Sequence, residues 1–258
     1  MSKVKIIFFD IDGTLIDMTK KAISDKTVET LLRLKENGVK ICIATGRAPG
    51  SVPKFEGVDF DAFLTFNGSY CYNSNDTILS TPIPKVDVEK MIENATKINR
   101  PVSIASKDRV VANGTDKDLS DYFGFAKQEV PVSDDFDEVL KDEIYQMMMG
   151  GRNDEYDDIL KDVENARITA WWDRAVDIIP VNGGKGKGIE AILEYYGIDR
   201  SESMAFGDGG NDIEMLQTVG TGVAMGNALD NVKAIADEIC GTSAEDGIYH
   251  YCLENGLI

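Results

Sequence analysis

Apolar residues along this chain fall in short unbroken runs, set apart by stretches with helical spacing. Val4–Phe9, Val39–Ala44 and Ala62–Phe66 are such runs. A run without polar alternation predicts a strand buried on both faces of a parallel sheet. Between the first two runs, Lys26–Asn37 places Val28, Leu31, Leu32 and Leu34 on a helical pattern that stops at Asn37-Gly38. After Gly183-Gly184 the rhythm resumes, with a helix over Lys187–Tyr196 closed by Gly197 and a strand over Ser203–Phe206. A helix over Ile213–Val219, a strand over Gly222–Met225 and a helix over Leu229–Ala236 follow, then a short strand over Asp237–Cys240 and a last helix from about Ala244. This alternation predicts an α/β fold built on a doubly wound parallel sheet.

The texture differs between Pro82 and Pro180. Pro82 and Pro84 punctuate the entry. Helices are predicted at Val86–Ile98, Asp134–Leu140 and Asp154–Glu164, and strands at Val102–Ala105, Val110–Ala112, Ile144–Met149, Arg167–Trp172 and Ala175–Ile179. Residues 82–180 are therefore expected to form an inserted α+β domain, with 1–81 and 181–258 closing around it as one core.

At 258 residues the chain is ample for a real core. No apolar stretch approaches the ~20 residues of a membrane span, and Met1-Ser2-Lys3-Val4-Lys5 runs into a strand without a secretory apolar segment. A cytoplasmic location is the expectation. A net charge of −18 argues against binding nucleic acid or an anionic membrane through a basic face. The single histidine, His250, excludes a His-rich metal site and is read as structural. Cys42, Cys71, Cys240 and Cys252 show no CxxC spacing and are read as reduced, mostly structural thiols.

The candidate chemistry lies where apolar runs end. Asp10-Ile11-Asp12-Gly13-Thr14 follows the first strand, and Gly207-Asp208-Gly209-Gly210-Asn211-Asp212 follows another near the far end of the chain. In an open α/β sheet, ligands bind beyond the carboxyl ends of the strands. If the two strands are neighbours, four carboxylates converge, and a hard divalent cation such as Mg2+ relieves their repulsion. Asp-Gly between apolar runs is also a hairpin signal, while spacing i, i+2 sets Asp10 and Asp12 on one side of an extended chain. Ile41–Ala44 ends in Thr45-Gly46-Arg47, a hydroxyl beside a glycine whose amide can approach an anion, or simply a strand-to-loop turn. Gly183-Gly184-Lys185-Gly186-Lys187-Gly188 lacks the Walker A pattern. A lysine at a helix start opposes the dipole there, which suggests a bound anion or a carboxylate partner.

Taken in this order, the four segments resemble the motifs of the haloacid dehalogenase superfamily, in particular its Cof-type sugar-phosphatase-like branch, over essentially the whole chain. DxDGT, ATGR, a lysine before the next helix and GDxxND stand for its four motifs. The resemblance implies a Rossmann-like core with a type-two, subtype B cap. It implies that Asp10 is a nucleophile forming an aspartyl-phosphate and that Asp12 is the acid and base. Mg2+ would be held by Asp10, the main-chain carbonyl of Asp12, and Asp208, with Asp212 orienting them from outside. Ile11, Thr45, Gly46, Asn211 and Lys185 would grip the phosphoryl group, with Lys187 the competitor of Lys185. Arg47, Asn67 and, in the cap, Trp172 of Trp171-Trp172-Asp173-Arg174 would meet substrate. The insert carries 22 acidic against 13 basic residues over 82–180, which favours monophosphates over bisphosphates. The implied activity is hydrolysis of small phosphomonoesters, sugar phosphates foremost, by a monomer or weak homo-oligomer. A phosphomutase of the same superfamily and a non-catalytic phospho-ligand-binding module are the alternatives.

Overall fold

The computed structural model describes residues 4–20, 22–170 and 172–258, so Met1–Lys3 and Trp171 of the sequence expectations lie outside the described residues. The strands in chain order are β1 (Ile6–Phe9), β2 (Lys40–Ala44), β3 (Ala62–Thr65), β4 (Tyr70–Tyr72) and β5 (Thr77–Ser80). Then come β6 (Val102–Ser106), β7 (Val110–Ala112), β8 (Ile144–Gly150), β9 (Ala166–Thr169) and β10 (Ala175–Pro180). The last three are β11 (Ser203–Gly207), β12 (Thr221–Ala224) and β13 (Glu238–Ile239). Contacts divide the chain into two compact units, one of Met1–Thr45, Pro53–Leu79 and Lys185–Ile258, the other of Gly46–Val52 and Ser80–Gly184.

The first unit is an α/β sheet in the order β13-β12-β11-β1-β2-β3-β4-β5. Every pairing from β13 to β3 is parallel, and β4 joins β3 antiparallel. Successive strands run outward from β1 in both directions, so the order reverses at β1 and a crevice opens beyond its carboxyl end. All four residues of β1 are buried because both faces of the sheet are covered, and each such side chain contributes about 1.5–3 kcal/mol. The helix Asp25–Glu36 starts where Ser24 Oγ accepts from the Thr27 amide at 3.1 Å. The helix Lys185–Tyr196 lies close against β3, because at Gly188 a Cβ would collide with Leu64. The glycine run around Lys185 thus serves close packing in part.

The second unit is an antiparallel sheet in the order β7-β6-β8-β10-β9. Ile104, Met147, Met149, Val176 and Ile178 of this sheet share an apolar cluster with Val88 and Met91 of the helix Lys85–Lys97.

Several local expectations need correction. The strand expected over Arg167–Trp172 ends at Thr169. The helix expected over Asp154–Glu164 is a turn, Asn153–Glu155, followed by the short helix Tyr156–Ile159. The helix expected from Lys187 begins at Lys185, and the one expected over Leu229–Ala236 spans only Asp230–Lys233. β4, β5 and the helix Lys117–Phe125 had no counterpart in the sequence reading. Among the described residues, no helix is long and apolar enough to cross a membrane.

Candidate active site

Parallel pairing of β1 with β11, with Phe9 opposite Phe206, brings the two acidic segments to one end of the sheet. Asp10 continues the ladder, its amide donating to Phe206 O at 3.0 Å. The chain then turns sharply. Gly13 adopts a φ of +94°, its amide donates to Ile16 O at 3.0 Å, and the Ile16 amide donates to Ile11 O at 2.8 Å. The Asp12-Gly13 turn therefore forms without the antiparallel hairpin that Asp-Gly could signal; the bridge it makes, Asp12 with Ile16, is parallel. Gly13 is required twice over, because a Cβ there would also strike the Asp208 carboxylate.

Asp10, Asp208 and Asp212 present carboxylate oxygens all within 4.8 Å of one another. Lys185 enters from the first turn of its helix, fully buried, and donates to Asp10 Oδ1 at 2.6 Å and Asp212 Oδ1 at 2.5 Å. The other oxygen of Asp212 accepts from the amides of Asp208 and Gly209, each at 2.9 Å. Asp208 accepts from Thr14 Oγ1 at 2.8 Å and from Asn227 Nδ2 at 3.4 Å, and Asn227 also donates to Gly13 O at 2.8 Å. Lys187 instead points outward and pairs with Glu190 at 2.7 Å, its side chain 60% exposed. The buried, doubly bonded lysine is thus Lys185.

One ammonium faces three carboxylates, and the imbalance shows in the proton affinities of Asp10 and Asp208. Burial pushes Asp10 well above the usual carboxylate range; the charges of Asp212, Asp208 and Asp12 add to this while Lys185 opposes it. Asp208 is raised to about 7, first by burial and then by Asp212, against the Thr14 hydrogen bond. For Lys185, burial disfavours the charge, but Asp10 and Asp212 outweigh it and hold the amine above its ordinary value. A desolvated, oxygen-only donor set with uncompensated negative charge fits a hard divalent cation such as Mg2+.

The remaining sequence candidates gather beside this cluster or stand apart. Ile11 and Thr45 are buried, Asp12 half-buried. The Thr45 carbonyl accepts from the Asn67 amide at 3.0 Å, and Asn67 Oδ1 accepts from Asn211 Nδ2 at 2.9 Å. Asn67 holds this position in a left-handed conformation, φ 52° and ψ 35°. Arg47 and Gly46 are half-buried and group with the second unit, where Arg47 Nη1 donates to Ser51 O at 3.1 Å. Trp172, also in that unit, meets Phe125 edge-on at 5.1 Å and carries the Arg174 guanidinium 4.2 Å from its ring centre.

Thr14 and Asn227 received no role from the sequence. Thr14 sits inside the first acidic segment, and Asn227 lies just past the end of β12. The rule that ligands collect beyond strand ends applies to that position too.

Comparison with known proteins gives one consistent result. A family model described as haloacid dehalogenase-like hydrolase matches residues 7–252. A Bacillus subtilis (strain 168) protein named 5-amino-6-(5-phospho-D-ribitylamino)uracil phosphatase YitU is 32% identical, over 98% of both chains. The structure of a sugar phosphatase of subclass IIB of the same superfamily superposes with a TM-score of 0.88 at 31% identity, covering 99% of this chain and 100% of the other. The structure of BT1666 from Bacteroides thetaiotaomicron, presented among phosphatases of the superfamily, gives 0.91 at 29% identity, covering 99% and 96%.

Proposed function

Because the chain belongs to the haloacid dehalogenase-like hydrolase family, we propose that it is a Mg2+-dependent phosphatase acting on small phosphomonoesters through an aspartyl-phosphate at Asp10. The observation that carries this reading is the buried Lys185 ammonium shared by Asp10 and Asp212, beside Asp208, at the switch point of the sheet. Lys185 opposes the burial that raises Asp10 and aims its carboxylate, and a nucleophilic carboxylate must be both ionised and aimed.

In this reading Asp10 attacks phosphorus, the Asp10 O–P bond forming as the ester O–P bond breaks. Asp12 gives its proton to the departing oxygen. Water then attacks the same phosphorus, Asp12 takes the water's proton, and inorganic phosphate leaves as the Asp10 carboxylate is restored. Thr45, the amides of Ile11 and Gly46, Asn211 and Lys185 neutralise and orient the phosphoryl oxygens. Asp10, the Asp12 carbonyl and Asp208 would hold Mg2+, which neutralises the carboxylates and the phosphoryl group. Asp212, engaged by Lys185 and two backbone amides, fits the part of an orienting neighbour.

Sugar phosphates are the proposed substrate class, in keeping with the sugar phosphatase of similar structure. Choice among them is assigned to the inserted unit, with Trp172 and Arg47 as proposed contacts, and the enzyme is read as a cytoplasmic monomer or weak homo-oligomer. The test is hydrolysis of p-nitrophenyl phosphate with and without Mg2+. Turnover should require the ion and drop on the order of 10^4-fold or more in Asp10→Asn. Turnover that survives in that variant would remove Asp10 from the nucleophile role.

A further inference from the structure

Within β8, Gln146 precedes a run of methionines, Met147-Met148-Met149, at a position that is only 2% exposed. A buried amide is costly unless it is bonded. Gln146 Nε2 donates to the main-chain carbonyl of Gly46 at 3.2 Å. Gly46 and Gln146 belong to the same compact unit, although 100 residues separate them.

We propose that Gln146 is a positioning residue for the phosphoryl-binding turn Thr45-Gly46-Arg47, acting through the Gly46 carbonyl. The proposal rests on the phosphatase reading above. A trans peptide is planar, so fixing one carbonyl fixes the amide on the other side of the same bond. The Thr45 carbonyl accepts from the Asn67 amide, which sets the direction of the Gly46 N–H. The Gly46 carbonyl accepts from Gln146, which sets the direction of the Arg47 N–H. Two consecutive peptides are thereby locked at a glycine, the residue whose backbone is otherwise the least restrained. Donors held in place before the phosphoryl group arrives need no reorganisation when charge builds on its oxygens.

The test is kinetic. Gln146→Met keeps the length of the side chain and removes its N–H donor. Gln146→Glu, polar and of equal size, does the same should the methionine variant fail to fold. Expected is a loss in kcat/KM of about tenfold, equal for p-nitrophenyl phosphate and for an aliphatic sugar phosphate. Inhibition by inorganic phosphate should weaken by a similar factor. A loss confined to one leaving group would make Gln146 a substrate contact and overturn the proposal, as would unchanged kinetics. Thr45→Ala separates the two layers. If it weakens phosphate inhibition while Gln146→Met does not, Gln146 alone loses its role. If neither does, the phosphoryl turn itself is misassigned and the proposal falls with it.

Discussion

Each unit of this protein contains an ionic cluster of three carboxylates, and the two clusters behave oppositely. In the insert, Arg100 binds Glu155 through Nε and Nη2, at 3.1 and 2.9 Å, and Asp116 and Asp118 through Nη1, at 3.1 and 2.9 Å. Arg152 adds a second guanidinium on Asp118 at 2.6 Å. Hydrogen bonds from Arg152 hold Asp118 below the usual carboxylate range, and those from Arg100 do the same for Glu155. In the core, one ammonium bonds Asp10 and Asp212 beside Asp208, and burial drives Asp10 and Asp208 upward. Carboxylates of similar chemistry therefore make a staple in one unit and a candidate reactive centre in the other. The direction of the carboxylate shift tells them apart: lowered where the counter-charge is complete, raised where a cation is still wanted.

The contrast can be attacked from both sides. The largest effect is expected from Lys185→Met, which removes the ammonium bonded to Asp10 and Asp212. Turnover of p-nitrophenyl phosphate should fall on the order of 10^2–10^3-fold, whereas Lys187→Met should alter it by less than about twofold. The reverse pattern would transfer the role to Lys187. A smaller and different effect is expected from Arg100→Met in the insert. Chemical denaturation should show a loss of about 2–3 kcal/mol, since Asp116 and Glu155 lose a partner while Arg152 still serves Asp118. Turnover per folded molecule on p-nitrophenyl phosphate should stay near the parent value. A large kinetic effect there would mean that the staple also shapes the reactive centre.

Much of the carboxylate cluster was legible in the chain, for a physical reason. β1, β2 and β11 are buried on both faces, so their sequences carry unbroken apolar runs, and the polar residues that end those runs mark the ligand end of the sheet. The structure, not the spacing, separates the two lysines: Lys185 donates to Asp10 and Asp212, while Lys187 pairs with Glu190 at the surface. What was not legible depends on contacts far apart in sequence. Nothing local marks Asn211 for Asn67, 144 residues away, or Gln146 for Gly46. The insert reads less well at its edge: β9, at one end of its sheet, is half-buried beyond Ala166, and the expectation ran past its end at Thr169. The helix Lys117–Phe125 did carry a signal, with Asp116 capping the Leu119 amide at 2.8 Å and Leu119 and Phe123 on one face. Its shortness and the glycine at 124 hid it.

The account turns on Asp10 as the atom donor to phosphorus. The most direct measurement is to mix Asp12→Asn with p-nitrophenyl phosphate, whose leaving group departs without a proton, and Mg2+, quench in acid, and locate any covalent phosphoryl group by peptide mass spectrometry. Without Asp12 to activate water, the second step should slow by ~100-fold or more, so phosphate should accumulate on the peptide containing Asp10 and vanish in the Asp10→Asn, Asp12→Asn double variant. Phosphate found on another residue, or retained in the double variant, would contradict the account.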